Sequence, residues 1–229
     1  RRLESKGKMV NVHLDTNRNY LEEFVKTLPF KLTEDQIKIL SDITTAIITG
    51  RYINDLVQGD VGSGKTAVAA ALAYAVGMSH PIGQSFGNLQ VAYMAPTEIL
   101  AGQHFKSLIE YFTGSGMQIA LITGSGCQKF PSKINPAGTT PISRAQLLKW
   151  VANGEIPILI GTHALIQKSV RFKHLALVII DEQHRFGTEQ RRKLREKEDH
   201  IPHLLSMTAT PIPRTLALTL YGDLDVSVL

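Results

Sequence analysis

The residues Gly59-Asp60-Val61-Gly62-Ser63-Gly64-Lys65-Thr66 decide the fold of this chain, because they match the pattern G-x-x-x-x-G-K-[ST]. Residues 53–58 before them predict a short strand, and the alanine-rich residues 67–76 after them have strong helix propensity. A strand, a glycine-rich turn and a helix in this order indicate a phosphate-binding loop. The alternative, a glycine-rich turn with a chance lysine, does not explain these flanking segments.

Each residue type in this loop has a chemical role. Glycines let the backbone form a nest of N–H groups that cradles phosphate oxygens, and the N-terminus of the following helix adds its dipole. Lys65 can reach the β- and γ-phosphates, and Thr66 can offer its hydroxyl to Mg²⁺. The loop therefore predicts a site for ATP with Mg²⁺. The predicted cradle residues are Gly59, Gly62, Ser63 and Gly64.

The composition of the 229 residues is that of an ordinary globular protein, with 43% hydrophobic and 20% charged residues. A formal charge of +5 permits an anionic partner without establishing one. The single cysteine, Cys127, excludes an internal disulfide and a cysteine-based zinc site, and it suits a reducing cytoplasm. No apolar run is as long as a membrane span, and residues 1–6 carry no secretory signal. The chain does not begin with methionine, which suggests a fragment or a processed product.

Strand-like and helical segments alternate along the chain, which predicts an α/β domain with a mostly parallel sheet. The six consecutive apolar residues 175–180 suit such a sheet, because its strands are covered on both faces. Residues 80–88 and 124–141 are predicted to be loops. Strands are predicted at 53–58, 90–95, 118–123, 156–160, 175–180 and 204–207, and helices at 19–28, 33–50, 67–76, 97–112, 143–153 and 190–197.

Polar or glycine-containing clusters follow six of the predicted strands. In open α/β sheets, ligands bind outside the carboxyl ends of the strands, so these clusters predict a functional edge of the sheet. The clusters are residues 59–66, 95–97, 124–125, 161–163, 181–182 and 208–210.

A pair of carboxylates, Asp181 and Glu182, ends the apolar strand at 175–180. Mg²⁺ prefers oxygen ligands and usually binds one or two carboxylates together with phosphates and water, which suits Asp181. Glu182 points elsewhere and could position or deprotonate the attacking water. An apolar strand that ends in two acids is a weak signal alone, but with the upstream phosphate-binding loop it predicts the second half of an ATP site.

The residues Thr208-Ala209-Thr210-Pro211 follow another predicted strand and have two interpretations. The two hydroxyls could hydrogen-bond the carboxylate pair or the nearby His184. Alternatively, this segment is only the N-terminal cap of a helix that begins near Pro213. Local chemistry does not choose between them.

Several of these segments together resemble the successive motifs of superfamily 2 helicases, and their wording is similar to the RecG family of bacterial ATP-dependent DNA helicases. The resemblance extends from about residue 28 to the end of the chain. It rests on residues 28–33 with Gln36, on 59–66, 94–101, 161–165, 181–187 and 208–215, and on 221–227.

The resemblance implies a three-layer RecA-like lobe of a motor that moves on duplex DNA and remodels stalled forks and Holliday junctions in recombination and repair. It also implies residue roles. Gln36, with Phe30 nearby, would recognise adenine. Thr66 and Asp181 would hold Mg²⁺, Lys65 would hold phosphates, and Glu182 would be the catalytic base. Gln183, His184, Thr208 and Thr210 would couple hydrolysis to movement, and Thr97 and Thr162 would touch DNA phosphates.

The same resemblance implies a domain arrangement. Residues 1–28 would be a linker and helix that follow an upstream wedge domain, and residues 29–229 would be the first motor lobe. A second lobe, which carries the arginine fingers of such motors, would follow. An arginine finger contributes roughly 10³–10⁵ in rate, so we expect this chain alone to bind Mg-ATP weakly and to hydrolyse it poorly.

Three other interpretations remain at this stage. The chain could be a nucleotide- or DNA-binding module that does not hydrolyse ATP, or the lobe of a related superfamily 2 translocase. A small-molecule kinase fits less well, because it predicts a lid over an acceptor substrate, whereas this chain has threonine-bearing loops at the sheet edge. Phosphate contacts do not distinguish RNA from DNA, so only the family wording indicates DNA.

Overall fold

A computed structural model of the chain describes residue 14 and residues 19–81, 83–84, 87–182, 201–210 and 224–229. Five α-helices lie in this part: α1 (Tyr20–Thr27), α2 (Glu34–Ile48), α3 (Lys65–Met78), α4 (Glu98–Phe112) and α5 (Arg144–Ala152). The strands are β1 (Asn54–Gln58), β2 (Gln90–Met94), β3 (Ile119–Ile122), β4 (Cys127–Phe130), β5 (Thr140–Ile142), β6 (Ile158–Gly161), β7 (Leu175–Ile180), β8 (His203–Thr208) and β9 (Asp225–Val228). A short 3-10 helix spans His163–Ile166.

All nine strands form one sheet in the order β5-β4-β3-β6-β2-β7-β8-β1-β9. The pairings β3–β4 and β4–β5 are antiparallel, and every other pairing of neighbours is parallel. The six strands predicted from the sequence all lie in the parallel part. The predicted mostly parallel α/β sheet is therefore confirmed.

The two faces of the sheet pack against different helices. In β2, Val91 and Tyr93 belong to the core beside α1–α4, whereas Ala92 and Met94 belong to the core beside α5. Side chains alternate between the faces of a strand, so a strand covered on both faces must be apolar at consecutive positions. The architecture is a three-layer α/β/α lobe, as predicted.

Hydrogen bonds from helix N-termini explain where four of the helices begin. The side chains of Asn19, Thr33, Thr97 and Ser143 each accept a backbone N–H in the first turn of α1, α2, α4 and α5. Such caps satisfy donors that have no partner inside the helix. The predicted cap at Thr33 forms a complete capping box with Gln36.

The prediction of a loop over residues 124–141 is wrong, because β4 lies within it and β5 begins within it. These strands form the antiparallel margin of the sheet and carry no continuous apolar run: Cys127 and Phe130 are buried in the cores on opposite faces, and Gln128 is exposed. Pro141 is accommodated because β5 is the last strand and needs no further partner. Strand β9 was also missed, since its edge position leaves it partly exposed and polar.

The predicted helix at 190–197 lies outside the described residues, as does Pro213. Within the part of the chain that the structure describes, no helix is both long and apolar enough to cross a membrane.

The fully buried side chain of Gln90 joins three segments at the start of β2. Its Nε2 donates to the carbonyls of Val151 (3.0 Å) and Ile156 (2.9 Å). Its Oε1 accepts the backbone N–H groups of Lys173 (2.7 Å) and His174 (3.0 Å). All four hydrogen-bonding positions of the amide are thereby used.

At the other side of the sheet, β9 places Asp225 beside Asp55 of β1. Burial, followed by the charge of Asp225, raises the pKa of Asp55 to about 6. Arg51 forms an exposed ion pair with Asp225 at 3.6 Å and offsets part of this effect. The Oδ1 atom of Asp55 is buried without a hydrogen-bond partner among the described residues.

We expect Gln90→Ala to lower the free energy of unfolding by about 3 kcal/mol or more, because buried backbone groups would lose their partners at about 1–3 kcal/mol each. Urea denaturation measures this change. The matched control is Gln103→Ala at an exposed position of α4, which should change stability by less than about 0.5 kcal/mol. Equal effects of the two variants would contradict the role assigned to Gln90.

We expect Asp55→Asn to stabilise the fold at pH 8 by about 2 kcal/mol and to have little effect at pH 4. A raised pKa means that the folded state holds the proton more tightly. The contribution of Asp55 to stability is therefore present below the unfolded pKa of about 4 and is lost as the pH rises through about 6. Urea denaturation at both pH values tests this, with exposed Glu110→Gln of α4 as control. A pH-independent gain would contradict it.

Candidate nucleotide-binding site

The loop between β1 and α3 has the backbone conformation that its glycines permit. Gly62 and Gly64 both have left-handed φ angles, of 87° and 84°. At Gly64 a β-carbon would also overlap Nε2 of Gln36. Glycine is therefore required at Gly64 both by the backbone angle and by the close approach of a neighbouring side chain.

The N-terminus of α3 differs from those of the other four described helices, because no side chain caps it. Gly64 has no side chain to accept the first N–H groups of the helix. Ser63 Oγ is buried and has no hydrogen-bond partner among the described residues. Unpaired donors and the positive end of the helix dipole favour an anion at this position.

Lys65 folds back over the loop. Its Nζ donates to the carbonyls of Gly59 (2.6 Å) and Asp60 (2.7 Å). The ammonium group therefore lies against the backbone of the loop, and its predicted contact with phosphate stays a prediction. Thr66, the next residue, lies in the first turn of α3.

Gln36 connects α2 to the phosphate-binding loop. Its Oε1 accepts the backbone N–H of Thr33 at 2.9 Å, and its Nε2 donates to the carbonyl of Ser63 at 2.7 Å. The amide still has one N–H and one oxygen lone pair for a further partner. The sequence predicted a contact of Gln36 with adenine, and the contact with Ser63 was not foreseen.

Phe30 is 42% exposed and its ring packs edge-on against Tyr111 of α4, with centroids 6.0 Å apart. An exposed aromatic face can stack on a base. The predicted role of Phe30 beside the adenine stays a prediction.

Asp181 and Glu182 lie immediately after β7. Asp181 is 9% exposed, and its Oδ1 accepts the backbone N–H of Glu182 at 3.0 Å. Glu182 has a φ of 53°, which is uncommon for a residue with a side chain. Such conformations persist where the surroundings hold them, often at functional sites.

A residue that sequence reasoning missed, His104 of α4, contacts the predicted metal ligand. Its Nε2 lies 2.7 Å from Oδ2 of Asp181, and its Nδ1 lies 3.3 Å from the hydroxyl of Tyr93. The available signal was its spacing: His104 is seven residues after Thr97, two helical turns along the same face.

Thr208 and Thr210 contact each other at the end of β8. Their hydroxyl oxygens are 2.9 Å apart, and the backbone N–H of Thr210 donates to Thr208 Oγ1 at 3.2 Å. The carbonyl of Thr208 accepts the backbone N–H of Gly59 at 3.2 Å, which joins this turn to the phosphate-binding loop. Contacts of these hydroxyls with His184 fall outside the described residues, as do Gln183 and His184 themselves.

The two threonines predicted to touch DNA lie at the same edge of the sheet. Thr97 is exposed after β2, and Thr162 is half-buried after β6. Thr97 Oγ1 also caps α4 by accepting the N–H of Leu100 at 3.2 Å. Thr162 precedes a 3-10 helix.

Glu98, beside Thr97, holds the neighbouring loop after β3 and was not singled out from the sequence. Its carboxylate accepts the backbone N–H of Gly124 (2.6 Å) and the hydroxyl of Ser125 (2.8 Å). The bond from Ser125, followed by that from Gly124, lowers the pKa of Glu98. Two loops of the edge are thereby joined.

The sheet order brings these segments together. Strand β8 separates β1 from β7, and neighbouring strands lie about 5 Å apart, so the phosphate-binding loop and Asp181 follow strands about 10 Å apart. The uncapped start of α3 and the unpartnered Ser63 Oγ suit an anionic phosphate. The hydroxyl of Thr66 and the carboxylate of Asp181 are the oxygen donors that Mg²⁺ prefers. These positions define a nucleotide-binding lobe of the RecA-like class.

Comparisons with known proteins give the family. The profile of the DEAD/DEAH box helicases matches residues 33–219, so the chain belongs to this family. It is 50% identical over 209 residues to the ATP-dependent DNA helicase RecG of Bacillus subtilis, a match that covers 91% of this chain and 27% of that protein. The RecG of Aquifex aeolicus is 45% identical over 225 residues, covering 98% of this chain and 26% of that protein.

Solved structures agree with the relationship to these sequences. A RecG bound to a three-way DNA junction superposes with a TM-score of 0.69 at 37% identity, over 90% of this chain and 25% of that one. A DEAD box protein of Methanococcus jannaschii gives a TM-score of 0.59 at 22% identity, over 92% of this chain and 53% of that one, and supports the fold alone. The resemblance to RecG helicases is confirmed, and the chain spans about a quarter of the length of those curated relatives.

We expect Gln36→Ala to weaken ATP binding about five- to tenfold, because the loop would lose its bond at Ser63 and adenine would lose its predicted partner. Single hydrogen bonds contribute about 0.5–1.5 kcal/mol. Titration with a fluorescent ATP analogue measures the change, and exposed Gln103→Ala is the control. GTP binding separates the two contributions. A larger loss for ATP than for GTP supports adenine recognition, whereas equal losses for both nucleotides would contradict it.

Proposed function

We propose that this chain is the first motor lobe of an ATP-dependent DNA helicase that remodels branched DNA. The main support for this proposal is that three features converge on one edge of the sheet: the phosphate-binding loop, the Asp181–Glu182 pair and the threonine-bearing loops. The relatives named RecG, one of them solved on a three-way DNA junction, support DNA as the partner.

Each residue of the site has a part in the proposed reaction. Lys65 and the N–H groups at the start of α3 bind the phosphates of ATP, and Gln36 and Phe30 hold its adenine. Thr66 and Asp181 hold Mg²⁺, which neutralises charge on the β- and γ-phosphates when bound. Glu182 orients the attacking water and takes its proton.

We assign the coupling of ATP hydrolysis to movement, and the contact with DNA, to the same edge of the sheet. Thr97 and Thr162 contact DNA phosphates, which positions the motor without reading the base sequence. Thr208 and Thr210, together with Gln183 and His184, couple hydrolysis of the nucleotide to movement. The backbone bond between Thr208 and Gly59 supports this assignment, because it joins the two segments directly.

A second lobe completes the proposed enzyme. In the arrangement that we propose, residues 1–28 link an upstream wedge domain to this lobe at 29–229, and the second lobe supplies an arginine finger. That residue contributes roughly 10³–10⁵ in rate. A motor that acts on chromosomal DNA in bacteria works in the cytoplasm, where we place it.

We expect this chain to bind Mg-ATP, to turn it over slowly with or without forked DNA, and not to separate strands. Coupled phosphate-release and strand-separation assays measure these properties, with forked RNA as the alternative substrate. DNA-stimulated turnover by this chain alone would overturn the need for a second lobe. Stronger binding of forked RNA than of forked DNA would overturn the DNA assignment.

We expect Lys65→Ala to lower ATP affinity about tenfold or more, because a charge-assisted phosphate contact is lost. DNA affinity should stay within about twofold if the two sites are independent, as assigned. Exposed Lys38→Ala of α2 is the matched control, since it removes the same charge elsewhere. ATP binding that survives Lys65→Ala would contradict the proposed nucleotide site.

A further inference from the structure

Tyr93 and His104, which have no part in the roles assigned above, form a hydrogen-bonded chain with the proposed metal ligand Asp181. The side chains of His104 and Asp181 are 11% and 12% exposed, so the contact between them is largely shielded from water. Tyr93 is fully buried, and its ring packs on the imidazole with centroids 4.9 Å apart. Three groups from β2, α4 and the end of β7 therefore meet at one point.

The donors and acceptors in this chain can be assigned. Burial, followed by the charge of Asp181, raises the pKa of Tyr93 well above its usual value, so its hydroxyl keeps its proton. An ionised carboxylate only accepts hydrogen bonds, so Nε2–H of His104 donates to Asp181 Oδ2. In a neutral imidazole that donates from Nε2, Nδ1 accepts the hydroxyl proton of Tyr93. The bond from Tyr93 favours the tautomer in which His104 presents a donor to Asp181.

Both carboxylate oxygens of Asp181 are thereby oriented. Oδ1 accepts the backbone N–H of Glu182, and Oδ2 accepts Nε2–H of His104. Each oxygen keeps a second lone pair. Two donors on opposite oxygens restrict rotation of the carboxylate without consuming its capacity to bind a cation.

We propose that His104 is a positioning residue that holds the Asp181 carboxylate in the orientation required for Mg²⁺. This inference rests on the proposed nucleotide site and adds a residue to it. Groups that hydrogen-bond a metal ligand commonly affect metal affinity 10- to 100-fold. Because His104 belongs to α4, it also ties the proposed metal ligand to the helix that is capped by Thr97 and begins at Glu98.

The test measures the affinity of this chain for a fluorescent ATP analogue at saturating Mg²⁺ and in excess EDTA, followed by Mg²⁺ titration of the nucleotide complex. His104→Phe keeps an aromatic ring against Tyr93 and removes both ring nitrogens. His104→Gln restores an N–H donor at similar reach. Asp181→Asn shows how much Mg²⁺ affinity is lost when the proposed metal ligand itself is replaced. Exposed Gln103→Ala, next to His104 in α4, is the control.

We expect His104→Phe to weaken Mg²⁺ binding about tenfold or more, with nucleotide affinity in EDTA unchanged within about twofold. His104→Gln should recover most of the Mg²⁺ affinity. Tyr93→Phe should give a smaller loss in the same direction, because it removes only the bond that selects the tautomer.

Three results would overturn the inference while leaving the proposed function intact. Unchanged Mg²⁺ affinity in His104→Phe would show that Asp181 needs no such support. Tighter Mg²⁺ binding would show that His104 competes with the cation. Equal losses with Mg²⁺ and in EDTA would indicate a general structural defect. If the unsubstituted chain bound no nucleotide at all, the proposed function would fail, and this inference with it.

Discussion

The burial of α3 against the sheet is the constraint on which the site depends. Every residue from Ala67 to Gly77 is buried, and the helix packs between the sheet and helices α1 and α2. Small alanine side chains permit this close approach. A helix enclosed in this way cannot shift, so its N-terminus stays at the carboxyl edge of the sheet. Its uncapped N–H groups, at half-buried Lys65 and Thr66, remain available to an anion there.

The parallel order of the strands determines which groups meet that N-terminus. Residues that follow β1, β7 and β8 are far apart in the sequence, but these strands are neighbours or separated by one strand. Backbone bonds then tie the segments together, as Gly59 to Thr208 and Asp181 to Met94 show. The edge is therefore one connected surface, and a change in one segment can reach the next.

Helix α4 connects two parts of that surface, the end of β7 at Asp181 and the loops at Thr97 and at 124–125. Its inner face is anchored by Phe105, Leu108 and Phe112, which are buried in the larger core. Its outer end carries Thr97 and Glu98, and Glu98 holds the loop at 124–125. His104, which lies along the helix between Glu98 and Phe105, contacts Asp181. Contacts at both places let this helix link the proposed nucleotide site to the loops that are proposed to contact DNA.

The sequence by itself determined the phosphate-binding loop, the acidic pair and the parallel core. These depend on local chemistry: glycines where left-handed backbone is needed, carboxylates after an apolar strand, and continuous apolar runs where both faces are covered. Cap residues such as Thr33 and Ser143 likewise marked helix starts because capping involves residues only three apart.

Only the tertiary structure decided the strands β4, β5 and β9 at the two margins of the sheet, since their polar and partly exposed residues resemble a loop. It also decided the partners of Gln36, Glu98 and His104. Those partners are 27, 26 and 77 residues away in the sequence. Hydrogen bonds at such separations are set by how helices pack on the sheet, and no local pattern records that packing.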